Sequence, residues 1–233
     1  MHRSAEAALA GMAGAALAAV AGSLIGIAAP AAIVGVVNGA ISGRRRIYSW
    51  RKPAGVTAFV LDSTWALGTT TAAVVSHGAG ALRGEPGFTP ALSERQNRHV
   101  YARGMTFRRG FAITYGNSVN GTGDTSHPRR AKLVTDHEDV HVWQARWMGP
   151  LYPVLYGGWM VGGAVGGVFV WLARRGRIDA EPASLGKTIE SCAYYLNPLE
   201  WWAYSRDDHW PPSGKVKGLG PAKPIVRSFA SKR

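Results

Sequence analysis

Residues 8–42 are ALAGMAGAALAAVAGSLIGIAAPAAIVGVVNGAIS, a run of small and apolar residues without a single charge. One membrane-spanning helix requires roughly 20 residues, so this run predicts either one tilted span or a hairpin of helices broken near Pro30. A secretory signal peptide is the rival interpretation, because a short basic start precedes an alanine-rich run. The apolar core of a signal peptide is usually only about 7–15 residues long, which favours a membrane segment.

A second uncharged stretch, residues 151–173, is LYPVLYGGWMVGGAVGGVFVWLA and predicts a transmembrane helix followed by the basic flank 174–177. Both apolar stretches carry glycines at every fourth position, a spacing that allows membrane helices to approach closely. These glycines are Gly22 and Gly26, Gly35, Gly39 and Gly43, and Gly158, Gly162 and Gly166. They predict contacts with partner membrane helices or formation of a homo-oligomer.

Residues 54–82 are less clearly a membrane segment, because Asp62, His77 and three consecutive threonines interrupt their apolar character. They predict either a second span or a helix in a soluble core. The basic flanks 44–46 and 174–177 both lie on the cytoplasmic side only if 54–82 also crosses the membrane. The number of spans therefore stays open, and so does the side of the membrane on which the residues between the apolar stretches lie.

The 233-residue chain has a formal net charge of +13, and its arginines and lysines form clusters beside the apolar stretches. Such clusters are typical of contacts with anionic lipid, and no nucleic-acid-binding module is present, so we expect a lipid bilayer and no nucleic acid as partner. The composition predicts a multi-pass or anchored protein of a bacterial inner membrane. One cysteine, Cys192, excludes an intramolecular disulfide and a cysteine-ligated zinc ribbon.

The chain is predicted to be mainly α-helical with a small β-hairpin, combining transmembrane helices with a minimal zincin-like core. The β-branched and aromatic residues of 99–119 predict the hairpin, with a break around 108–110. Four regions follow in order: 1–50, a glycine-zipper membrane segment with a basic flank; 51–98, a second apolar segment and a loop; 99–210, the metal-site region including 151–173; and 211–233, a disordered basic tail.

Residues 137–141 are His-Glu-Asp-Val-His, which fits the pattern H-E-x-x-H. Residues four apart lie above one another on a helix, so two imidazoles can hold one ion, with the glutamate beside the site. We predict a helix from about Leu133 or Thr135 to Met148, in which Thr135 and Glu138 form a capping box. The pattern predicts a Zn²⁺ site with His137 and His141 as ligands.

A catalytic zinc ion usually has three protein ligands, and the compact H-E-x-x-H-x-x-G-x-x-H arrangement is absent. Downstream, residues 197–204 are Asn-Pro-Leu-Glu-Trp-Trp-Ala-Tyr, which places Glu200 on a predicted helix fifty-nine residues after His141.

Over residues 105–205 the sequence resembles the gluzincin branch of zinc metallopeptidases, and more closely a group of bacterial proteins that pair H-E-x-x-H-x-x-Q with N-P-x-E-x-x-A. The resemblance implies Glu200 as third ligand and Glu138 as general base. Tyr204, Tyr115 and His209 are the candidate oxyanion donors, with Tyr204 as the predicted catalytic residue. Gluzincins typically carry an aspartate three residues after the ligand glutamate, and Ala203 stands there in this chain. Support for the ligands is then expected from Gln144 and from Asp207 or Asp136.

These features predict a membrane-anchored zinc-dependent hydrolase, most readily a metallopeptidase whose peptide substrate pairs with the edge of the strand at 111–116. The alternative is a non-catalytic metal-binding membrane scaffold or assembly factor built on glycine-zipper packing. A third interpretation is a pore-forming or lipid-perturbing glycine-zipper protein in which the His-Glu-Asp-Val-His stretch has no role.

Overall fold

In a computed structural model, the protein is described at residues 2–84, 87–107, 110–175, 177–178, 181–207 and 210–223. The chain divides into two compact units, residues 1–152 and 153–233. Most of the described residues are helical, and a small three-stranded sheet lies in the first unit. By length and composition two helices can cross a membrane, Arg3–Ser23 and Leu151–Ala173.

The first unit begins with a hairpin of two helices, α1 (Arg3–Ser23) and α2 (Ala28–Arg45). The chain reverses at residues 24–27, so the predicted break near Pro30 is misplaced by a few residues. Pro30 lies in the first turn of α2, where a helix does not need the N–H that proline lacks.

Glycines allow α1 and α2 to pack with their backbones in contact. A Cβ added at Gly14 would lie 2.6 Å from the carbonyl oxygen of Gly35, and a Cβ at Gly39 would lie 2.6 Å from the carbonyl carbon of Ala10. The glycines predicted to bind partner helices are therefore used inside this hairpin at Gly22, Gly35, Gly39 and Gly43.

We expect Gly39→Ala to lower the free energy of unfolding by about 1–3 kcal/mol, because the added methyl group forces two backbones apart. Gly78 is the matched control, since it lies on an exposed helix surface with no atom within 4 Å of an added Cβ. Gly78→Ala should stabilise the protein by about 0.5–1 kcal/mol through helix propensity alone. Thermal unfolding in detergent, followed by tryptophan fluorescence, measures both; equal effects would contradict the close packing.

The segment 54–82 forms two helices, α3 (Pro53–Ser63) and α4 (Leu67–Leu82), whose axes differ by 87°. Neither helix alone is long enough to span a membrane. Counted as one bent element, the pair has the length and apolar composition of a single span. A short helix, α5 (Pro90–Ser93), follows and leads into the sheet.

The sheet contains β1 (His99–Tyr101), β2 (Ile113–Tyr115) and β3 (Ser118–Asn120), in the order β1-β3-β2. β2 and β3 form an antiparallel hairpin, whereas β1 pairs parallel to β3. The predicted hairpin of 99–119 is thus wrong, because β1 and β2 do not pair with each other. Both pair with a third strand, β3, that begins at Ser118. Of the predicted break at 108–110, residues 108 and 109 lie outside the described part of the chain.

The histidine-bearing helix is longer than predicted. It starts as α6 (Pro128–Lys132), continues as a π-helical segment (Leu133–Glu138) and ends as α7 (Asp139–Met148). The predicted capping box is wrong, because Thr135 lies inside the helix, within Leu133–Glu138, and its hydroxyl donates to the Asp136 carboxylate at 2.9 Å. Proline supplies the start instead, since its fixed φ suits the first helical position.

A buried ion pair joins α7 to α3. The guanidinium of Arg146 donates from Nε and Nη2 to the two carboxylate oxygens of Asp62, each at 2.9 Å, and both side chains are 1% exposed. Tyr48 and Asn117 donate two further hydrogen bonds to the same carboxylate. Beside this pair, the sheet and the histidine helix share an apolar core of Val100, Val119, Val134 and Val142.

The second unit contains most of α8 (Leu151–Ala173), then β4 (Arg177–Ile178) and β5 (Glu181–Pro182), α9 (Leu185–Glu190), a π-helical segment (Ser191–Tyr195) and α10 (Pro198–Arg206). Added Cβ atoms at Gly163 and Gly167 would lie within 2.8 Å of residues 189–193, so these glycines make the close helix contact in this unit. No described atom lies within 4 Å of an added Cβ at Gly158, Gly162 or Gly166.

Part of the predicted disordered tail is packed. Leu219 is 5% exposed and lies against Ile178 and Cys192. Residues 224–233 lie outside the described residues.

Candidate metal centre

Within the first unit, His137 and His141 present their Nε2 atoms to each other at 3.3 Å. His137 is the penultimate residue of the π-helical segment and His141 lies in the first turn of α7. Their side chains are buried, with 2% and 5% exposure. The spacing of one helical turn therefore brings both imidazoles to one point, as the motif predicts.

The ring of His141 is oriented by its other nitrogen. Nδ1 lies 2.9 Å from Oε1 of Gln144 and 3.4 Å from the hydroxyl of Tyr152. Since an amide oxygen only accepts, this contact assigns the proton to Nδ1 and leaves the lone pair on Nε2. The Gln144 amide therefore fixes the orientation of the His141 ring.

We expect Gln144→Ala to weaken the binding of a metal ion at this group by about 10- to 100-fold, because His141 loses the acceptor that fixes its tautomer. Gln144→Glu retains an acceptor oxygen and should bind the ion far better than Gln144→Ala. Competition with a chromophoric chelator measures both affinities. Equal affinities for both variants would show that the contact does not orient the ligand.

Glu138 is held by the sheet. Its Oε2 atom accepts a hydrogen bond of 2.7 Å from the hydroxyl of Thr114 on β2, and the glutamate is 5% exposed. The next residue, Asp139, forms an ion pair with Arg98, which directly precedes β1. This pair connects the helix to the sheet. A buried carboxylate with one fixed oxygen is suited to accept a proton at the other.

Glu200 lies in the first turn of α10 in the second unit. Asn197 caps this helix by accepting from the Leu199 N–H at 3.0 Å, and Pro198 occupies the first helical position. The hydroxyl of Tyr156 donates to Oε1 of Glu200 at 2.6 Å. Burial and the nearby Glu200 carboxylate raise the pKa of Tyr194 well above its ordinary value, so this phenol stays protonated.

His137, His141 and Glu200 each offer one ligand atom, and these atoms all lie within 4.8 Å of one another. All three residues are buried. Among the residues that the structure describes, this group of imidazoles and a carboxylate can hold a metal ion.

No protein-family model, curated protein or solved structure matches this chain. Its function is therefore inferred from the residues of the centre.

The other predicted site residues lie at several places. Tyr204, predicted as catalytic, lies on α10 with its ring centroid 6.3 Å from that of Tyr195. Asp207 is buried at the end of α10, and Asp136 accepts a hydrogen bond from Thr135. Tyr115 lies on β2, where its hydroxyl is buried. His209 lies outside the described residues.

Sequence reasoning missed Thr114 and Tyr156, which hold the two carboxylates of the centre. Thr114 belonged to a predicted strand and Tyr156 to a predicted transmembrane helix. Neither residue is part of a metal-binding motif, so only the packing of the chain shows their contacts.

Proposed function

We propose that the protein is a membrane-anchored, zinc-dependent hydrolase of the gluzincin kind, acting as a metallopeptidase with a minimal zincin-like core. The observation that supports this proposal is the buried group of His137, His141 and Glu200, with Glu138 beside the two histidines in the chain. Glutamate in H-E-x-x-H is suited to act as a general base in metal-assisted hydrolysis.

The donor set fits zinc. Two nitrogens bound to one tetrahedral zinc at about 2.0–2.1 Å are about 3.3 Å apart, and the two Nε2 atoms of His137 and His141 are 3.3 Å apart. Two imidazoles and one carboxylate are also a known set of ligands for catalytic zinc, which leaves a fourth position for water. Calcium and magnesium prefer oxygen ligands and fit this set less well.

A zinc ion held by His137, His141 and Glu200 would polarise a carbonyl group and lower the pKa of water to about 7. Glu138 would accept a proton from the attacking water and return it to the leaving amine. Thr114 keeps the Glu138 carboxylate in one orientation, while Gln144 and Tyr156 hold two of the ligands. Tyr204 remains our proposed donor to the developing oxyanion.

A peptide is the substrate class that the sheet supports. β2 is an edge strand of the three-stranded sheet, and its three residues are partly exposed. It also carries Thr114, the partner of Glu138. An extended peptide that pairs with β2 would have its carbonyl groups beside Glu138, the proposed general base.

Zinc content tests the proposal. The protein purified in detergent and dialysed should contain about one zinc per chain by mass spectrometry, and His137→Ala, His141→Ala and Glu200→Ala should each lose it. His127 is the matched control, because it is exposed and outside this group, so His127→Ala should retain zinc. Zinc retained in all three ligand variants would overturn the proposal. Zinc bound without peptide hydrolysis would favour a metal-binding scaffold.

A further inference from the structure

The closed end of the α1–α2 hairpin exposes large aliphatic side chains. Leu24 is 84% exposed and Ile25 is 73% exposed, and Val20 and Ile33 are both more than 60% exposed. No charged residue occurs from Ala7 to Gly43. An apolar surface of this extent and without charge is suited to an apolar environment.

The N–H groups of residues 25–27, in the turn between the helices, donate to backbone carbonyls at the end of α1. The N–H groups of Ile25 and Ile27 both donate to the Gly22 carbonyl, at 3.2 Å and 2.8 Å. The N–H of Gly26 donates to the Ser23 carbonyl at 3.3 Å. The Ser23 hydroxyl donates to the Val20 carbonyl at 2.7 Å. Irregular backbone in hydrocarbon requires such internal partners, because no water is present to supply them.

The small residues of the hairpin face inward. The glycines of α1 and α2 contact the opposite helix, and the bulky residues Leu9, Met12 and Val36 face outward with at least 40% exposure. Membrane helices usually contact other helices through small residues. The outward surface of this hairpin therefore fits lipid chains better than it fits a second copy of the protein.

The open end of the hairpin has the opposite character. Glu6 is 1% exposed and accepts hydrogen bonds from Arg95 at 2.6 Å and 2.7 Å, from Arg46 at 3.4 Å and from Trp50 at 2.7 Å. These contacts attach the start of α1 and the end of α2 to the polar segment that precedes β1. Both ends of the hairpin therefore lie beside the same polar part of the first unit.

We propose that the α1–α2 hairpin enters a lipid bilayer with its closed end first, that residues 20–33 lie in the hydrocarbon, and that both ends remain on one side. The turn has no charged residue that would hold it at the opposite face. The hairpin thus re-enters the bilayer and does not cross it. The lipid contact of the hairpin does not depend on the metal centre.

The test uses the full chain with Cys192→Ala as background, since Cys192 is its one cysteine. Leu24→Cys, Ser4→Cys and Gln96→Cys are labelled with a bimane fluorophore and reconstituted into sealed phosphatidylcholine vesicles. Ser4 and Gln96 are exposed residues at the open end, which makes them the matched controls. Ile25→Cys replaces Leu24→Cys should that variant fail to fold.

Bimane at residue 24 should be quenched by lipids that carry a nitroxide on the acyl chain and should be insensitive to iodide. The labels at residues 4 and 96 should show the reverse. A membrane-impermeant maleimide should react with unlabelled Ser4→Cys and Gln96→Cys to the same extent. Iodide quenching at residue 24, protection from both quenchers, or reaction of residues 4 and 96 from opposite sides would each overturn the proposal.

Discussion

Glu138→Gln is expected to leave zinc bound and to lower peptide hydrolysis by about 100- to 10,000-fold, the usual contribution of a general base. Glutamine is close to glutamate in shape and its amide oxygen can still accept from the Thr114 hydroxyl. It has no carboxylate to take a proton from water. Metal content by mass spectrometry and cleavage of a fluorogenic peptide library measure the two effects separately.

Asp139→Asn is the matched control for this substitution, because Asp139 is the neighbouring acidic residue and pairs with Arg98 outside the metal-binding group. It should retain both zinc and most of the activity. Equal hydrolysis by the wild type and Glu138→Gln would remove the proposed general base. Loss of zinc from Glu138→Gln would instead show that Glu138 is needed to form the metal site.

Asp62→Ala is expected to lower the free energy of unfolding by about 3–5 kcal/mol, because it leaves the guanidinium of Arg146 buried without its counter-charge. Both side chains are 1% exposed, and the carboxylate also accepts from Tyr48 and Asn117. Urea unfolding in detergent, followed by tryptophan fluorescence, measures the loss.

The double variant Asp62→Leu/Arg146→Met replaces both charges with apolar groups of similar size. It should be more stable than Asp62→Ala, since no charge remains buried alone. Asp124→Asn serves as the exposed control, because Asp124 lies at the surface and its carboxylate accepts hydrogen bonds from the neighbouring Ser126. A loss in Asp62→Ala no larger than that in Asp124→Asn would show that the ion pair contributes little to stability.

The sequence predicted the helices of the apolar stretches because their composition alone distinguishes them. The break of the first stretch was misplaced, since proline ends a helix in its interior but is tolerated in its first turn, where Pro30 lies. The strand Ser118–Asn120 was missed because it is short and mostly polar. It is nevertheless buried, and Asn120 donates to the Ser118 hydroxyl.

Of the metal centre, the sequence predicted the histidines, because helical periodicity fixes the relation of His137 to His141. It could not place Thr114 or Tyr156, whose contacts join residues 24 and 44 positions apart. Long-range contacts of this kind depend on tertiary packing, which no local pattern records. The π-helical winding at Leu133–Glu138 was also invisible to a pattern that assumes regular α-helix.

The pairing of α1 with α2 has a consequence for the order of assembly during translation. These helices bury one another using residues 3–45 alone, so their mutual contacts are available as soon as that length has left the ribosome. The parallel pairing of His99 with Ser118 needs a chain more than twice as long. Because local contacts form faster than distant ones, we expect the nascent chain to complete the hairpin before the β-ladder begins.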